Sequence, residues 1–287
     1  RLIDILGAEE AEEYLRCNNA IVPTTIQTNT TKIAPDALAE TLAAQGVTVE
    51  PHPWLDGCFT LRGTGDLEQL KAFRDGLFLV QDTASRLVVL AAQPEAGQHI
   101  LDACGAPGGK SFSTAIAIGD DGSILSCDIH PSKVKQIQKG AKRLGLASIQ
   151  SQIRNAKEYD PSLDEQFDLV LADAPCSGLG IIRKKPDIRN KDPEPLKDLP
   201  RIQGDILENV SRYVKSGGVL VYSTCTVLER ENQDVVRGFL AKHPEFTLEP
   251  FTLPDAIGTV EEGMLTLWPH IHGTDGFFLS KMRKYQA

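Results

Sequence analysis

Three stretches of this 287-residue chain hold residue types that do chemistry when a fold brings them together. The first is the turn Asp102-Ala103-Cys104-Gly105-Ala106-Pro107-Gly108-Gly109-Lys110. Its glycines let a backbone leave a strand sharply and approach a ligand closely. A dinucleotide fingerprint fails here, because counting from Gly105 the second and third glycines of G-x-G-x-x-G fall on Pro107 and Lys110. A phosphate-cradling loop is a near miss: Gly109-Lys110-Ser111 fits, Cys104 stands where the first glycine belongs, and the apolar run ending at Asp173 could hold magnesium. Pro107 counts against it by removing a backbone N–H from the loop. The third reading is a methyl-donor site, in which the Gly/Pro turn lies against a zwitterionic amino acid and thioether. Asp128, about 20 residues beyond the glycines, then stands where a carboxylate accepts both ribose hydroxyls. Its plainer reading is a helix cap before Pro131.

The other two stretches are Asp173-Ala174-Pro175-Cys176-Ser177-Gly178-Leu179-Gly180 and Tyr222-Ser223-Thr224-Cys225-Thr226-Val227. The remaining cysteines, Cys17, Cys58, Cys104 and Cys127, are scattered and form no C-x-x-C pair with one another or with these two. That excludes a zinc knuckle or a disulfide framework as the organising feature and fits a reducing cytoplasm. A lone cysteine near the end of a buried strand is usually a small core residue, which accounts for Cys127 and Cys58. Cys176 fits that less well, because a loop follows it; Cys225 escapes it through its pairing with the Asp-Ala-Pro-Cys stretch.

These residues need a scaffold. From residue 99 onward, short apolar runs alternate with helix-length segments, the pattern of βαβ units and a parallel sheet. Strands are expected at 99–104, 123–128, 148–153, 167–172 and 219–223, with helices at 111–118, 131–144, 199–214 and 229–243. Runs at 246–250 and 277–282 add two strands joined by a loop, so a seven-stranded Rossmann-like sheet closed by an antiparallel strand is expected. Before it, strand patterns at 24–30, 47–49 and 58–61 and a helix at 35–44 describe a small α/β module ending near Gly76. The expected division is a module over 1–80 and a catalytic domain over 81–287. The chain starts at Arg1, without an initiator Met, in what reads as the tail of an amphipathic helix; the expectation is that upstream residues were removed.

The three stretches, with Gln81-Asp82, Pro186-Asp187-Ile188, Glu231-Asn232 and Asp275-Gly276-Phe277-Phe278, resemble the RNA cytosine-5 methyltransferases of the NOL1/NOP2/Sun family over nearly the whole chain. The likeness is strongest to its bacterial members acting on 16S ribosomal RNA, which carry a further N-terminal helical domain resembling the antitermination factor NusB. The resemblance implies the S-adenosylmethionine-dependent methyltransferase fold and S-adenosyl-L-methionine as cofactor. Its contacts would fall on Cys104, Gly105, Ala106, Pro107, Gly108, Gly109, Lys110, Asp128, Asn155 and Asp173. Asn155 stands where the family usually has Asp, and its amide can still bond adenine.

Cytosine C5 is a poor nucleophile, so a thiolate must first add at C6 to make the ring an enamine. The resemblance implies Cys225 as that nucleophile and Cys176 as its helper in product release. Asp173 would assist protonation at N3, Pro175 would leave its carbonyl free for the exocyclic amine, and Lys110 would steady the thiolate. DNA cytosine methyltransferases take their nucleophile from a Pro-Cys after the fourth strand, which would make Cys176 the attacker; at this point both orders stand.

A net charge of −9 opposes a nucleic-acid partner. Charge acts locally, however, and residues 183–191 hold five basic residues against one acid, marking Arg183, Lys184, Lys185 and Arg189 as candidate RNA contacts. No apolar run is long enough to span a bilayer and no metal set is visible, so the expected partner is RNA, with neither metal nor membrane. Two other functions compete: a nucleoside triphosphatase using Gly109-Lys110-Ser111 and Asp173, and a non-catalytic RNA-binding assembly factor.

Overall fold

The computed structural model describes residues 2–20, 22–192 and 194–285. After a leading helix α1 (Leu2–Cys17), the chain forms β1 (Thr24–Thr28), α2 (Pro35–Ala44), β2 (Thr48–Pro51), β3 (Cys58–Arg62), the short α3 (Lys71–Arg74) and β4 (Phe78–Val80). These strands make an antiparallel sheet in the order β2-β3-β1-β4, over a core that includes Ile26, Leu38, Leu42, Phe59 and Phe78. β1 stops short of residue 30 because the Asn29 carboxamide turns the chain, its Oδ1 accepting from the backbone N–H and hydroxyl of Thr31.

The larger sheet follows α4 (Thr83–Ala92). Its parallel part comprises β5 (His99–Asp102), β6 (Ser123–Asp128), β7 (Ile149–Ile153), β8 (Phe167–Asp173) and β9 (Val214–Thr224), with α5 (Gly109–Ala117), α6 (Pro131–Leu144) and α7 (Leu199–Val210) as crossovers. Then come α8 (Gln233–Leu240), β10 (Phe246–Leu248), the ribbon β11 (Phe251–Thr252) and β12 (Thr259–Val260), β13 (Met264–Leu267), the short α9 (Pro269–His272) and β14 (Phe277–Lys284). The strand order is β10-β14-β9-β8-β5-β6-β7, with β13 added against β14 and β14 antiparallel to both its neighbours in that path. The expected seven-stranded path is present, and β13 extends it.

Leu87, Phe112 and Ile137 from α4, α5 and α6 pack on one face of the sheet; Ile206, Leu207 and Val236 from α7 and α8 pack on the other. The chain runs outward from β5 through β6 to β7, then returns to lay β8 on the other side of β5. That reversal opens a crevice at the carboxyl ends of β5 and β8. Because β9 pairs with β8 in the register Asp173↔Ser223, the crevice receives both cysteine loops.

Four elements depart from the sequence reading. β9 begins at Val214, five residues ahead of the expected start at residue 219. The helix expected over 229–243 is interrupted at Asn232, whose backbone leaves helical geometry (φ −118°, ψ −101°). β4 and α4 have no counterpart in the expected elements; α4 is buried around most of its circumference and so shows no polar face to set a period.

Candidate active site

The glycine turn rests on a buried polar cluster. Ser111 Oγ donates to Asp102 Oδ2 at 2.6 Å and lies 2.7 Å from Ser126 Oγ, directly beneath Gly105. A Cβ at Gly105 would come within 2.3 Å of Ser126 Oγ, so this position admits no side chain. Burial raises the Asp102 carboxyl to about 6, the nearby Asp173 charge adding to it against the Ser111 hydroxyl and the Cys104 N–H. Gly108, at φ +116°, starts α5 and packs against the Phe112 ring.

Two cavities meet at this turn. The first, about 340 Å³, is lined by Cys104, Ala106, Asp128, Asn155, Pro175 and Ile206. The second, about 370 Å³, is lined by Gln81, Gly109, Lys110, Lys184, Asp275 and Phe277. Asp173 and Cys225 line both, and so form the wall between them.

At that wall the Cys176 and Cys225 sulfurs are 3.1 Å apart, and the Cys225 N–H donates to Cys176 Sγ at 3.3 Å. The hydrogen bond from Cys176 lowers the Cys225 pKa below the ordinary thiol value against burial, with Lys110 and Lys185 assisting. The same bond, then burial, raises Cys176 well above it. Of the two sulfurs, Cys225 is thus the one shifted toward the thiolate form. The other thiols near the site are inert: burial pushes Cys127 up to about 12 and Cys104 higher still.

The neighbouring carboxylate is held from two sides. Asp173 Oδ2 accepts from Lys110 Nζ at 2.7 Å and Oδ1 from Ser223 Oγ at 2.8 Å. Burial alone would lower the Lys110 ammonium, but the Asp173 charge outweighs it and keeps the lysine above its usual range. Lys110 also sits 4.9 Å over the Phe277 ring.

A network fixes the two cysteine loops. Glu231 Oε2 accepts from the Ser177 N–H at 2.8 Å and Gln203 Nε2 at 3.2 Å, while its backbone carbonyl accepts from Tyr222. Thr224 Oγ1 donates to Asn232 Oδ1 at 2.6 Å, and Asn232 Nδ2 donates to the Thr226 carbonyl at 3.0 Å, which is why the helix breaks at residue 232. The Gly180 N–H donates to the Cys225 carbonyl and Gly276 N–H to that of Gly180; a Cβ at Gly180 would stand 1.8 Å from the Gly276 oxygen. In sequence Glu231-Asn232 stands out only as a matching pair; the roles of these residues depend on partners brought near by tertiary structure.

A family profile described as 16S rRNA methyltransferase RsmB/F matches residues 89–283, and one described as Methyltr RsmF/B-like, ferredoxin-like domain matches residues 1–68. The chain belongs to the RsmB/F family. It is 40% identical over 289 residues to the probable ribosomal RNA small subunit methyltransferase B of Bacillus subtilis (strain 168), covering 98% of this chain and 64% of that protein. It is 31% identical over 288 residues to ribosomal RNA small subunit methyltransferase F of Escherichia coli O17:K52:H18, covering 96% and 60% respectively. The chain thus spans somewhat less than two thirds of the length of these relatives. Its fold superposes with TM-score 0.85 and 28% identity on a methyltransferase homolog protein from Pyrococcus horikoshii, covering 99% of this chain and 93% of that one. The sheet is that of the S-adenosylmethionine-dependent methyltransferases, as the sequence predicts.

Within this RsmB/F site the expected residues divide. Asp128 and Asn155 line the first cavity alone, and Cys104, Ala106 and Asp173 line both. Gly105, Pro107, Gly109 and Lys110 line the second, and Gly108 serves the turn itself. Asp128 Oδ1 accepts from the His130 N–H at 2.9 Å, closing the turn ahead of α6, whose own N-cap is His130 and not Asp128, while Oδ2 lies 3.9 Å from Lys133 Nζ. Asn155 makes a local turn, with Nδ2 on Glu158 and Oδ1 on the Lys157 N–H. The Pro175 carbonyl is not free as expected; Gln203 Nε2 donates to it at 3.0 Å.

The basic run needs the largest revision. Arg183 is paired with buried Asp275, and Lys184 bridges Asp82 and Asp275. Arg189 bonds Asn19, and Lys185 is exposed beside the second cavity. The partners lie some 90 to 170 positions away in sequence, where no local pattern reveals them. Among the described residues no cluster of histidine, cysteine, aspartate and glutamate could hold a metal ion, and no helix is long and apolar enough to cross a membrane.

Proposed function

We propose that this chain transfers a methyl group from S-adenosylmethionine to C5 of a cytosine in RNA, with small-subunit ribosomal RNA as substrate, through a covalent bond between Cys225 and C6. One observation carries this reading: Cys225, whose pKa the Cys176 contact lowers, stands on the wall shared by two cavities, with the Cys176 sulfur 3.1 Å from its own. The names of the curated relatives supply the substrate.

The first cavity fits the donor. Asp128 offers an oxygen for the ribose diol, exposed Ile129 offers an apolar surface for adenine, and Cys104 and Ala106 leave room beside the turn. S-adenosylmethionine, when bound, supplies an electrophilic methyl group. In the second cavity the Cys225 thiolate adds to C6 as a proton passes from the Lys110 ammonium by way of Asp173 to N3, making the ring an enamine, and it returns by the same path when the product is released. After C5 is methylated, loss of its proton reforms the double bond and expels the cysteine as thiolate. Cys176 is ready for that stage. Once Cys225 is bonded to carbon, the thiolate that held the Cys176 proton is gone, and with it the main cause of the raised pKa.

The nucleoside triphosphatase reading loses ground here. The Gly105 N–H is spent on the Cys127 carbonyl and the Gly108 N–H on that of Gly105, while Lys110 is committed to Asp173. The test is transfer of labelled methyl from S-adenosylmethionine to small-subunit ribosomal RNA, with the product nucleoside identified by mass spectrometry. 5-Methylcytidine is expected; a methylated base of another kind, or label on the ribose, would overturn the C5 assignment.

A further inference from the structure

With Arg183 and Lys184 held in ion pairs, the basic run at 183–191 keeps less free positive charge for an RNA backbone than its sequence offers. α6 carries five basic residues, Lys133, Lys135, Lys139, Lys142 and Arg143, and no acid, in a chain of net charge −9. Val134, Ile137, Ala141 and Leu144 are its buried face, and at 3.6 residues per turn Lys135, Lys139 and Lys142 line up on the opposite, exposed side. Among the described residues none of these three meets an acid within ion-pair distance, whereas Arg16, Lys197, Arg201, Arg212 and Arg237 each face a carboxylate three or four positions away. Like charges at such spacings repel and weaken a helix, so the stripe is a cost to the isolated fold.

Its ends point to the purpose. At the amino end Lys133 lines the donor cavity beside Asp128; at the carboxyl end exposed Lys32 of the small module donates to the Arg143 carbonyl at 3.2 Å. We infer that the outer face of α6 is a phosphate track, along which the RNA backbone runs between the donor cavity and the module. The inference rests on the RNA reading above and names where that RNA is held.

The test compares two triple variants for binding to a small-subunit ribosomal RNA transcript across a salt series. Lys135→Gln, Lys139→Gln and Lys142→Gln remove the stripe without reversing charge. Arg212→Gln, Lys215→Gln and Arg237→Gln remove the same charge from sites already facing Glu208, Asp168 and Asp234. Each phosphate contact contributes about 0.7–0.9 to the slope of log K against log salt, so the stripe variant should flatten that slope by about 2 and weaken binding roughly tenfold or more. The control should retain the wild-type slope, and S-adenosylhomocysteine binding should be unchanged in both. An unchanged slope in the stripe variant, or equal flattening in the control, would overturn the track. Methyl transfer is scored separately: RNA binding that depends on the stripe without any transfer would leave the track standing and overturn the reaction.

Discussion

Cys225 and Cys176 are the same residue type 3.1 Å apart, and their surroundings shift their pKa values in opposite directions. Both are half-buried and burial raises both, so it does not separate them; the shared hydrogen bond does, lowering Cys225 and raising Cys176, with Lys110 and Lys185 on the side of Cys225. Removing the donor should therefore raise the Cys225 pKa again. In Cys176→Ala, the midpoint for alkylation of Cys225 by iodoacetamide, followed by peptide mass spectrometry against pH, is expected to move upward from its wild-type position. A midpoint that stays in place would mean the lysines alone hold the thiolate. The residue types that attack are visible in the sequence. Their order of ionisation is not, because it depends on contacts between positions 49 residues apart.

At the scale of the element, the turn from β5 into α5 stands on a carboxylate that the fold keeps dry. Asp102 is fully buried, its Oδ1 has no hydrogen-bond partner, and its pKa is raised from 3.8 to about 6. A folded-state pKa above the unfolded one means that the native protein keeps a proton the unfolded chain releases. This group's contribution therefore falls as pH rises from about 4 to about 6 and stays low above that. Across that window the loss amounts to roughly 3 kcal/mol. Asp102→Asn removes the titration while still accepting from Ser111. Its stability relative to wild type, measured by urea unfolding, should climb across that window and level off above it; a difference constant from pH 4 to 8 would contradict this role for Asp102.

Much of this element-scale structure is readable in the sequence. Apolar runs of strand length and a proline at the start of α6 mark the parallel sheet, and the glycine turn lies where the strand order reverses. What escapes are elements without a local signature. α4 is buried too completely to show a polar stripe. Conversely, residues 183–191 look like a free basic surface in sequence, because Asp275 and Asp82 lie far from them along the chain. The α6 lysines are inconspicuous in sequence for the same reason: which basic residues meet an acid is a property of the fold.

At the scale of the molecule, the small module and the catalytic sheet are joined through several side chains, buried Asn29 among them. Asn29 Nδ2 donates to the Gly76 carbonyl at 2.9 Å and the Leu144 carbonyl at 2.8 Å, while Arg143 donates to the Phe73 and Phe78 carbonyls and stacks 3.8 Å from the Phe73 ring. Gly76 allows the approach, since a Cβ there would lie 2.0 Å from the Arg143 oxygen. Asn29→Ala leaves two buried carbonyls without this donor, a cost of about 2 kcal/mol or more. If the joint also aligns the module with the α6 track, the variant should raise KM for RNA with a smaller effect on kcat. Equal KM values in wild type and variant would restrict Asn29 to stability.

The proposed reaction stands or falls on Cys225 bonding to RNA and Cys176 releasing it. A denaturing gel reads both steps, with Cys176→Ala, Cys225→Ala and the double variant each incubated with small-subunit ribosomal RNA and S-adenosylmethionine. A slow-migrating protein–RNA adduct in Cys176→Ala that is absent from the other two is the expected result. An adduct in Cys225→Ala that requires Cys176 would contradict it and assign the attack to the other sulfur.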